Sequence, residues 1–211
     1  MAKYPIFLEL GGRRVVVVGG GGVAARKARV LLDVGASLVV VAARIGESMR
    51  GVCGNGDAEI IECVYSNEYL SGAVLVIAAT DDEAVNGRVF GDCRELGILC
   101  NIVDVPELCD FYVPAVVDRG CLKIAISTDG ACPAYAGQLR KKLENMFTEQ
   151  HGQFLEELRV MRIRIIDEVS DAKQRKCLLD TLVGDRSFGM FSENGLESWR
   201  VYADDLVRSL G

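Results

Sequence analysis

A run of four glycines, Gly19 to Gly22, lies directly between a run of valines and a segment with helical character. Together with Ala24 it fits the pattern G-x-G-x-x-A at the turn from a first strand to a first helix, which is the context that this motif requires. The first glycine permits the tight turn, Gly21 lets the backbone approach a pyrophosphate, and Ala24 allows the helix to pack closely on the strand. The motif therefore predicts a dinucleotide-binding fold, and a glycine-rich turn without a ligand is the alternative. The predicted cofactor contacts are Gly19, Gly21, Gly22, Val23 and Ala24.

The first hundred residues alternate strand-like and helix-like segments. The predicted strands are Arg14–Val18, Ser37–Ala42, Ala58–Val64, Ala73–Ala79 and Ile98–Val103, and the predicted helices are Val23–Val34 and Asp82–Leu96. Uninterrupted apolar strands separated by helices suit a parallel sheet that is covered on both faces. We therefore expect an α/β fold with an N-terminal Rossmann-like doubly wound parallel sheet.

The pattern changes after residue 104. Pro106 and Pro114 punctuate a segment that leads into a short alternating run, Leu122–Ser127. From residue 133 onward the spacing of apolar residues is helical. We predict helices over Ala134–Thr148, Phe154–Val169 and Leu196–Leu210, with a loop over Gly184–Gly195. The second half should thus form a small central α+β segment followed by a C-terminal helical domain.

Composition narrows the classes of protein. The 211 residues carry a net charge of −6, and half of them are apolar. A dedicated nucleic-acid binder is not expected at this charge, and no apolar run approaches the ~20 residues of a membrane span. The opening residues lack the apolar core of a signal peptide, and the eight cysteines contain no CxxC pair that would indicate a zinc ribbon. We expect a cytoplasmic protein with reduced thiols, no metal site, and no nucleic-acid or membrane partner.

The end of the second strand bears on cofactor choice. Proteins that bind NAD usually place an acid there on the ribose hydroxyls, whereas an arginine can accept the 2′-phosphate of NADP. Here the strand ends in Ala42, Ala43 and Arg44, and Glu47 lies too far along the loop to take the place of the acid. From spacing alone, with Ala43 and Arg44 beside the adenosine ribose, NADP is as defensible as NAD.

Several ordered motifs resemble the precorrin-2 dehydrogenase family, which includes the dehydrogenase and ferrochelatase part of siroheme synthase. The likeness covers roughly residues 4 to 145. It is carried by Tyr4-Pro5-Ile6-Phe7-Leu8, Val18 to Ala28, Ala78-Ala79-Thr80-Asp81-Asp82 with Val85-Asn86, Asn101-Ile102-Val103-Asp104, Phe111-Tyr112-Val113-Pro114-Ala115, Asp118-Arg119-Gly120, Ile124 to Thr128, and Pro133 to Arg140. The ordered set is far more specific than any one of these segments.

The resemblance implies an activity and an architecture. The activity is the oxidation of precorrin-2, a tetrapyrrole, to sirohydrochlorin with hydride transfer to NAD. Some members also insert ferrous iron, which would be a substrate here. The architecture is an NAD-binding domain over residues 1–112, a dimerisation and substrate-facing segment over 113–148, and a C-terminal helical domain over 149–211, in a homodimer. We expect a stand-alone enzyme.

Asp104 is the candidate catalytic residue. It follows an apolar strand at the carboxyl edge of the predicted sheet, where doubly wound folds bind their ligands. A partly desolvated carboxylate there can accept or relay a proton, and the matching family position is the proposed catalytic aspartate. The alternative is that Asp104 only caps the next turn, as aspartate often does.

Other site residues follow from the same comparison of motifs. Thr80, Asp81, Asn101 and Val103 are predicted to line the cofactor, whereas Asp82 is expected to cap the following helix. Asn101 has a second interpretation, in which it closes a backbone hydrogen bond. The predicted substrate contacts are Thr128, Arg119 and Arg140. Thr128 supplies a hydroxyl, and the two arginines are chosen because guanidinium groups bind carboxylates, which the tetrapyrrole carries, bidentately. For Arg140 a solvated helix face is the alternative, and His151 is expected at a helix boundary.

Two further functions stay open. One is a regulatory module that senses NAD(H) through the glycine motif and passes the signal to a partner through the C-terminal helices. It gives no reason for the motifs between residues 104 and 140. The other is a dehydrogenase that hands its product to a separate chelatase or to a cobalt pathway.

Overall fold

Strand β1 (Arg14–Val18) occupies the centre of a five-stranded parallel sheet in the computed structural model, which describes residues 3–54, 56 and 58–210. The order across the sheet is β3-β2-β1-β4-β5. The other strands are β2 (Ser37–Ala42), β3 (Ala58–Glu62), β4 (Leu75–Ala78) and β5 (Leu99–Ile102). This is the predicted Rossmann-like parallel sheet: β1 and β2 have their predicted bounds, and β3, β4 and β5 lie within two residues of theirs.

Both faces of this sheet are covered by helices. Val15 and Val17 pack against α1 (Gly22–Asp33) and α2 (Glu47–Cys53). Val16 and Val18 point to the opposite face and pack against α3 (Glu83–Leu96). Successive strand residues face opposite sides, so a continuous valine run needs an apolar layer on each side, as the doubly wound fold provides.

The second half of the chain begins with an antiparallel hairpin and continues as helices. The hairpin consists of β6 (Ala115–Arg119) and β7 (Leu122–Ile126), paired across a turn at Gly120. The helices are α4 (Pro133–Met146), α5 (Glu149–Glu168), α6 (Ala172–Leu182) and α7 (Asp185–Leu210), and short 3₁₀ turns occur at Asn67–Leu70 and Pro106–Leu108. Strand β6 and helices α2 and α6 were not predicted.

The predicted loop over Gly184–Gly195 is wrong for most of its length. Helix α7 begins at Asp185, and its backbone leaves the helical region at Gly195, where φ is +83°. Phe188 and Phe191 pack in the apolar core of the helical region, so this segment has the buried face that stabilises a helix. Gly184 and Gly195 suggested a loop. In the structure Gly184 lies in the turn between α6 and α7, and Gly195 forms a kink within α7.

Contacts within the chain divide it into two compact units, Met1–Val113 and Pro114–Gly211. Each is considered by itself below. The three-part division at 112/113 and 148/149 stays a prediction. None of the helices in the described part of the chain is long and apolar enough to cross a membrane.

Candidate functional site

The carboxyl ends of the parallel strands bring most of the predicted cofactor residues to one edge of the first unit. The N–H of Gly19 donates to the carbonyl of Val41 at 2.9 Å, and the N–H of Ala79 donates to that of Val18 at 2.8 Å. The residues that follow β1, β2 and β4 are therefore held side by side. The chain order reverses between β1 and β4, and in open α/β sheets the ligand crevice lies at such a switch point.

Glycine is present at successive positions of the loop for different physical reasons. Gly19 has a φ of +132°, and a Cβ built on it would lie 2.4 Å from the carbonyl oxygen of Ala79. A Cβ on Gly20 would lie 2.1 Å from the carbonyl oxygen of Arg44. These two glycines are required by the fold, because any side chain would collide with backbone.

Gly21 is different, because a Cβ built on it would meet no atom within 4 Å and its φ of −85° suits any residue. The fold itself therefore does not require a glycine at position 21, and the space beside it is open to a bound group. Helix α1 has no acid in its first turn and no side-chain cap, so its N-terminal N–H groups around Gly22 and Val23 face solvent and attract anions. Ala24, within α1, is fully buried. The loop fits a dinucleotide pyrophosphate.

The turn after β2 contains the predicted residues Ala43 and Arg44, both exposed. The Arg44 side chain makes no hydrogen bond or ion pair with a described residue. Glu62, at the end of β3, was not predicted as part of the site. Its carboxylate accepts from the N–H of Ile45 at 3.1 Å and from Arg50 Nη2 at 2.9 Å. The Ile45 N–H and then the Arg50 guanidinium hold the pKa of Glu62 below its usual range.

Thr80 and Asp82 shape the start of α3. Asp82 caps the helix as predicted, accepting from the N–H groups of Ala84 and Val85. The Thr80 hydroxyl donates to Asn86 Oδ1 at 2.8 Å, and Asn86 Nδ2 donates back to the Thr80 carbonyl at 3.0 Å. Asp81 between them is exposed. Thr80 is thus anchored by a buried asparagine, while Asp81 is accessible at the sheet edge.

Asn101 and Val103 lie at the end of β5. Asn101 Nδ2 donates to the carbonyl of Phe111 at 2.8 Å and contacts Cys109 Sγ at 3.3 Å. This is the second of its two interpretations, a side chain that closes a backbone hydrogen bond. The N–H of Val103 donates to the Ala78 carbonyl at 2.9 Å. The hydrogen bonds of Asn101 and Val103 therefore hold in place the end of β5, which Asp104 follows.

Asp104 follows immediately in a left-handed backbone conformation, with a φ of +64°. It is exposed, where partial desolvation was expected. Its carboxylate does not cap the following 3₁₀ turn and makes no hydrogen bond or ion pair with a described residue, so the capping alternative is wrong. The thiol of Cys109 lies within the turn, 3.2 Å from the carbonyl of Ile102 and 3.3 Å from that of Val105. Sequence reasoning missed this contribution, because a lone cysteine carries no signal.

The predicted substrate residues lie in the second unit. The Arg119 guanidinium contacts three backbone carbonyls, those of Asp118, Glu144 and Phe147. Arg140 pairs with Glu144 one turn along α4. The Thr128 hydroxyl accepts from the N–H of Cys132 at 3.3 Å. Arg119 is therefore committed to structure, while Arg140 and Thr128 are only partly engaged.

His151 lies at a helix boundary, as predicted. It is part of the capping box that starts α5, with its Nδ1 accepting from the N–H of Thr148 at 3.1 Å. Among the described residues no group of three or more histidine, cysteine and acidic side chains is placed to hold a metal ion.

Comparisons with known proteins identify relatives of this chain. A family model described as putative NAD(P)-binding matches residues 6–115, and one described as sirohaem biosynthesis protein central matches residues 119–146. The siroheme synthase of Psychrobacter sp. (strain PRwf-1) is 38% identical over 99% of this chain, and that of Pseudomonas aeruginosa (strain LESB58) is 41% identical over 84%. The chain spans only 41% and 38% of the length of these curated relatives.

A solved structure titled SirC, precorrin-2 dehydrogenase, superposes with a TM-score of 0.77 at 26% sequence identity. The match covers 98% of this chain and 100% of that one. The NAD(P)-binding model and this full-length superposition both include the glycine loop and Asp104, and the central model matches the segment that follows them. The chain therefore belongs to the NAD(P)-binding family that contains precorrin-2 dehydrogenase and the N-terminal part of siroheme synthase.

Proposed function

We propose that this chain oxidises precorrin-2 to sirohydrochlorin and that NAD accepts the hydride. The observation that carries the proposal is that one edge of the sheet holds both a glycine loop open at Gly21 and the exposed carboxylate of Asp104, which has no partner among the described residues. The names of the related proteins supply the substrate. In the reaction two hydrogens leave the macrocycle, one as a hydride and one as a proton.

The residues of the chain divide this work between binding and proton transfer. Backbone N–H groups at the start of α1 hold the pyrophosphate, and bound NAD supplies the hydride acceptor. Asp104 accepts the proton, since it is the carboxylate at the end of β5 and has no hydrogen-bond or ion-pair partner among the described residues. Asn101 and Cys109 position the turn that carries it.

The homodimer belongs to this proposal too. In the described chain the hairpin β6–β7 is a two-stranded sheet, which leaves an unpaired edge on each strand, and open edges favour pairing with another chain. Val116, within β6, adds exposed apolar surface to the hairpin. We place the enzyme in the cytoplasm, and we treat ferrous iron as a further substrate of the same site.

The deciding experiment measures NADH formation when precorrin-2 is added to the wild type and to Asp104→Asn. Asparagine is chosen because it tolerates the left-handed conformation of this position better than alanine does. We expect the variant to lose about tenfold or more in rate, equivalent to about 1.4 kcal/mol of barrier, with NADH affinity unchanged. Glu107→Gln, an exposed acid three residues away, is the matched control and should keep its rate.

Each outcome has a defined meaning. Equal rates for the wild type and Asp104→Asn would remove Asp104 from proton transfer. Nucleotide binding without any NADH formation would overturn the dehydrogenase and favour a nucleotide-sensing module. Addition of ferrous iron to the sirohydrochlorin formed, against a protein-free control, tests chelation in the same sample.

A further inference from the structure

The turn that follows β2 forms one wall of the predicted cofactor site, although it lacks the usual acid. The N–H of Gly46 donates to the carbonyl of Gly20 at 3.0 Å, and Gly20 itself approaches the backbone of Arg44 too closely to carry a side chain. The turn over residues 43–46 is therefore fixed against the glycine loop. An adenosine ribose whose pyrophosphate lies on that loop would meet Ala43 and Arg44.

The neighbouring strand supplies a carboxylate to the same turn. Glu62 is the register partner of Ala42, the last residue of β2. One of its oxygens accepts from the Ile45 N–H, and the other accepts from Arg50 Nη2. The Glu62 side chain is still 45% exposed, so its negative charge acts on a ligand bound beside the turn.

We propose that Glu62 takes over, from β3, the selective task of the missing acid at the end of β2 and makes the site prefer NAD to NADP. The inference rests on the proposed function and names the residue that discriminates between the two nucleotides. A free ribose hydroxyl can lie beside a carboxylate and donate to it, whereas the 2′-phosphate of NADP is an anion and is repelled.

The charge pattern supports the same conclusion. The Ile45 N–H and the Arg50 guanidinium lower the pKa of Glu62, and Arg44 adds a smaller effect in the same direction, so the carboxylate is ionised at neutral pH. Glu62 therefore engages Arg50 directly and offsets the field of Arg44. These are the two cations of the turn and of α2 that would otherwise attract a 2′-phosphate.

The test is a titration of the full chain with NADH and with NADPH, followed by calorimetry or by nucleotide fluorescence, without tetrapyrrole. We expect the wild type to prefer NADH. Glu62→Gln keeps an acceptor for the Ile45 N–H and removes the charge, and it should reduce the preference by about tenfold, mainly through tighter NADPH binding. Glu59→Gln, on the same strand and paired with Arg14, is the matched control and should keep the wild-type preference.

A rescue variant separates charge from structure. Ala43→Asp in the Glu62→Gln background restores an acid at the usual position, and it should restore the NADH preference if charge is what selects. A wild type that prefers NADPH, or a Glu62→Gln variant that weakens both nucleotides equally, would overturn the inference and leave the dehydrogenase proposal in place. Failure of the wild type to bind either nucleotide would instead overturn the proposed function.

Discussion

Arg119 Nε donates a 2.7 Å hydrogen bond to the carbonyl of Phe147, the C-cap residue that follows α4. Its Nη2 donates to the carbonyl of Glu144 at 3.1 Å. The last carbonyls of a helix have no partner within the helix, and a cation there is favourable to the helix dipole. The guanidinium thus joins the end of β6 to the end of α4. It is a structural clamp of the second unit.

We predict that Arg119→Ala lowers the free energy of unfolding by about 2–3 kcal/mol, because charge-assisted hydrogen bonds to backbone are lost together. Arg140→Ala should change it by less than about 1 kcal/mol, since its pairing with Glu144 is a partly exposed contact within one helix. Urea unfolding of both variants, followed by circular dichroism, measures the difference. Equal effects of the two substitutions would contradict the clamp.

The sheet was predictable because its signals are local. The valine run, the glycine turn and the helix cap at Asp82 each specify their own element, and together they specify the doubly wound order. The approximate position of Asp104 follows from the same pattern, because an acid after a strand must lie at the carboxyl edge. Its left-handed backbone belongs to a turn in which the Cys109 thiol contacts the carbonyls of Ile102 and Val105, and the sequence pattern gives no sign of these contacts.

Other features depend on contacts between residues far apart in sequence. Glu62 reads as one polar residue in a strand, and only the pairing of β3 with β2 shows that it reaches the turn at Ile45. Arg119 is a plausible carboxylate binder by residue type, whereas the fold directs it at carbonyls 25 and 28 residues away. The helix at Asp185 was missed because glycine is a strong local signal that core packing overrides.

Gly20 and Gly21 should respond differently to the same substitution. Gly20→Ala places a Cβ against the carbonyl oxygen of Arg44, and such overpacking should cost about 1–3 kcal/mol of stability. Gly21→Ala meets no protein atom, so it should unfold like the wild type and bind NADH about tenfold or more weakly. Thermal melts paired with NADH titrations separate the two effects. Unchanged NADH binding by Gly21→Ala would contradict the placement of the pyrophosphate.

The helical region has its own internal probe in Trp199, the single tryptophan of the chain. Its Nε1–H donates to the Ser187 hydroxyl at 2.8 Å, and both residues are fully buried. Ser187→Ala leaves that donor without its partner, which should cost about 1–3 kcal/mol. Ser192→Ala, in the same helix and only partly buried, should cost less than about 1 kcal/mol. Denaturant unfolding followed by tryptophan fluorescence measures both, and equal effects would contradict the assigned hydrogen bond.

Alkaline pH should weaken the first unit through Tyr65. Its hydroxyl donates to Asp92 Oδ2 at 2.7 Å, and burial followed by that carboxylate raises the pKa of the phenol well above its usual value. The unfolded chain loses this proton near pH 10 while the folded chain keeps it, so the contribution is complete below about pH 10 and declines as the pH rises above it. Tyr65→Phe lacks the titrating group, and the stability difference between wild type and variant should therefore shrink between about pH 9 and pH 11.

Urea unfolding followed by circular dichroism at each pH measures this difference between wild type and Tyr65→Phe. The effects of the other groups that titrate at alkaline pH cancel, because both proteins contain them. Tyr4→Phe, at a position that is 88% exposed, is the control, and a difference for Tyr65→Phe that stays constant with pH would show that the phenol is not held neutral by the fold.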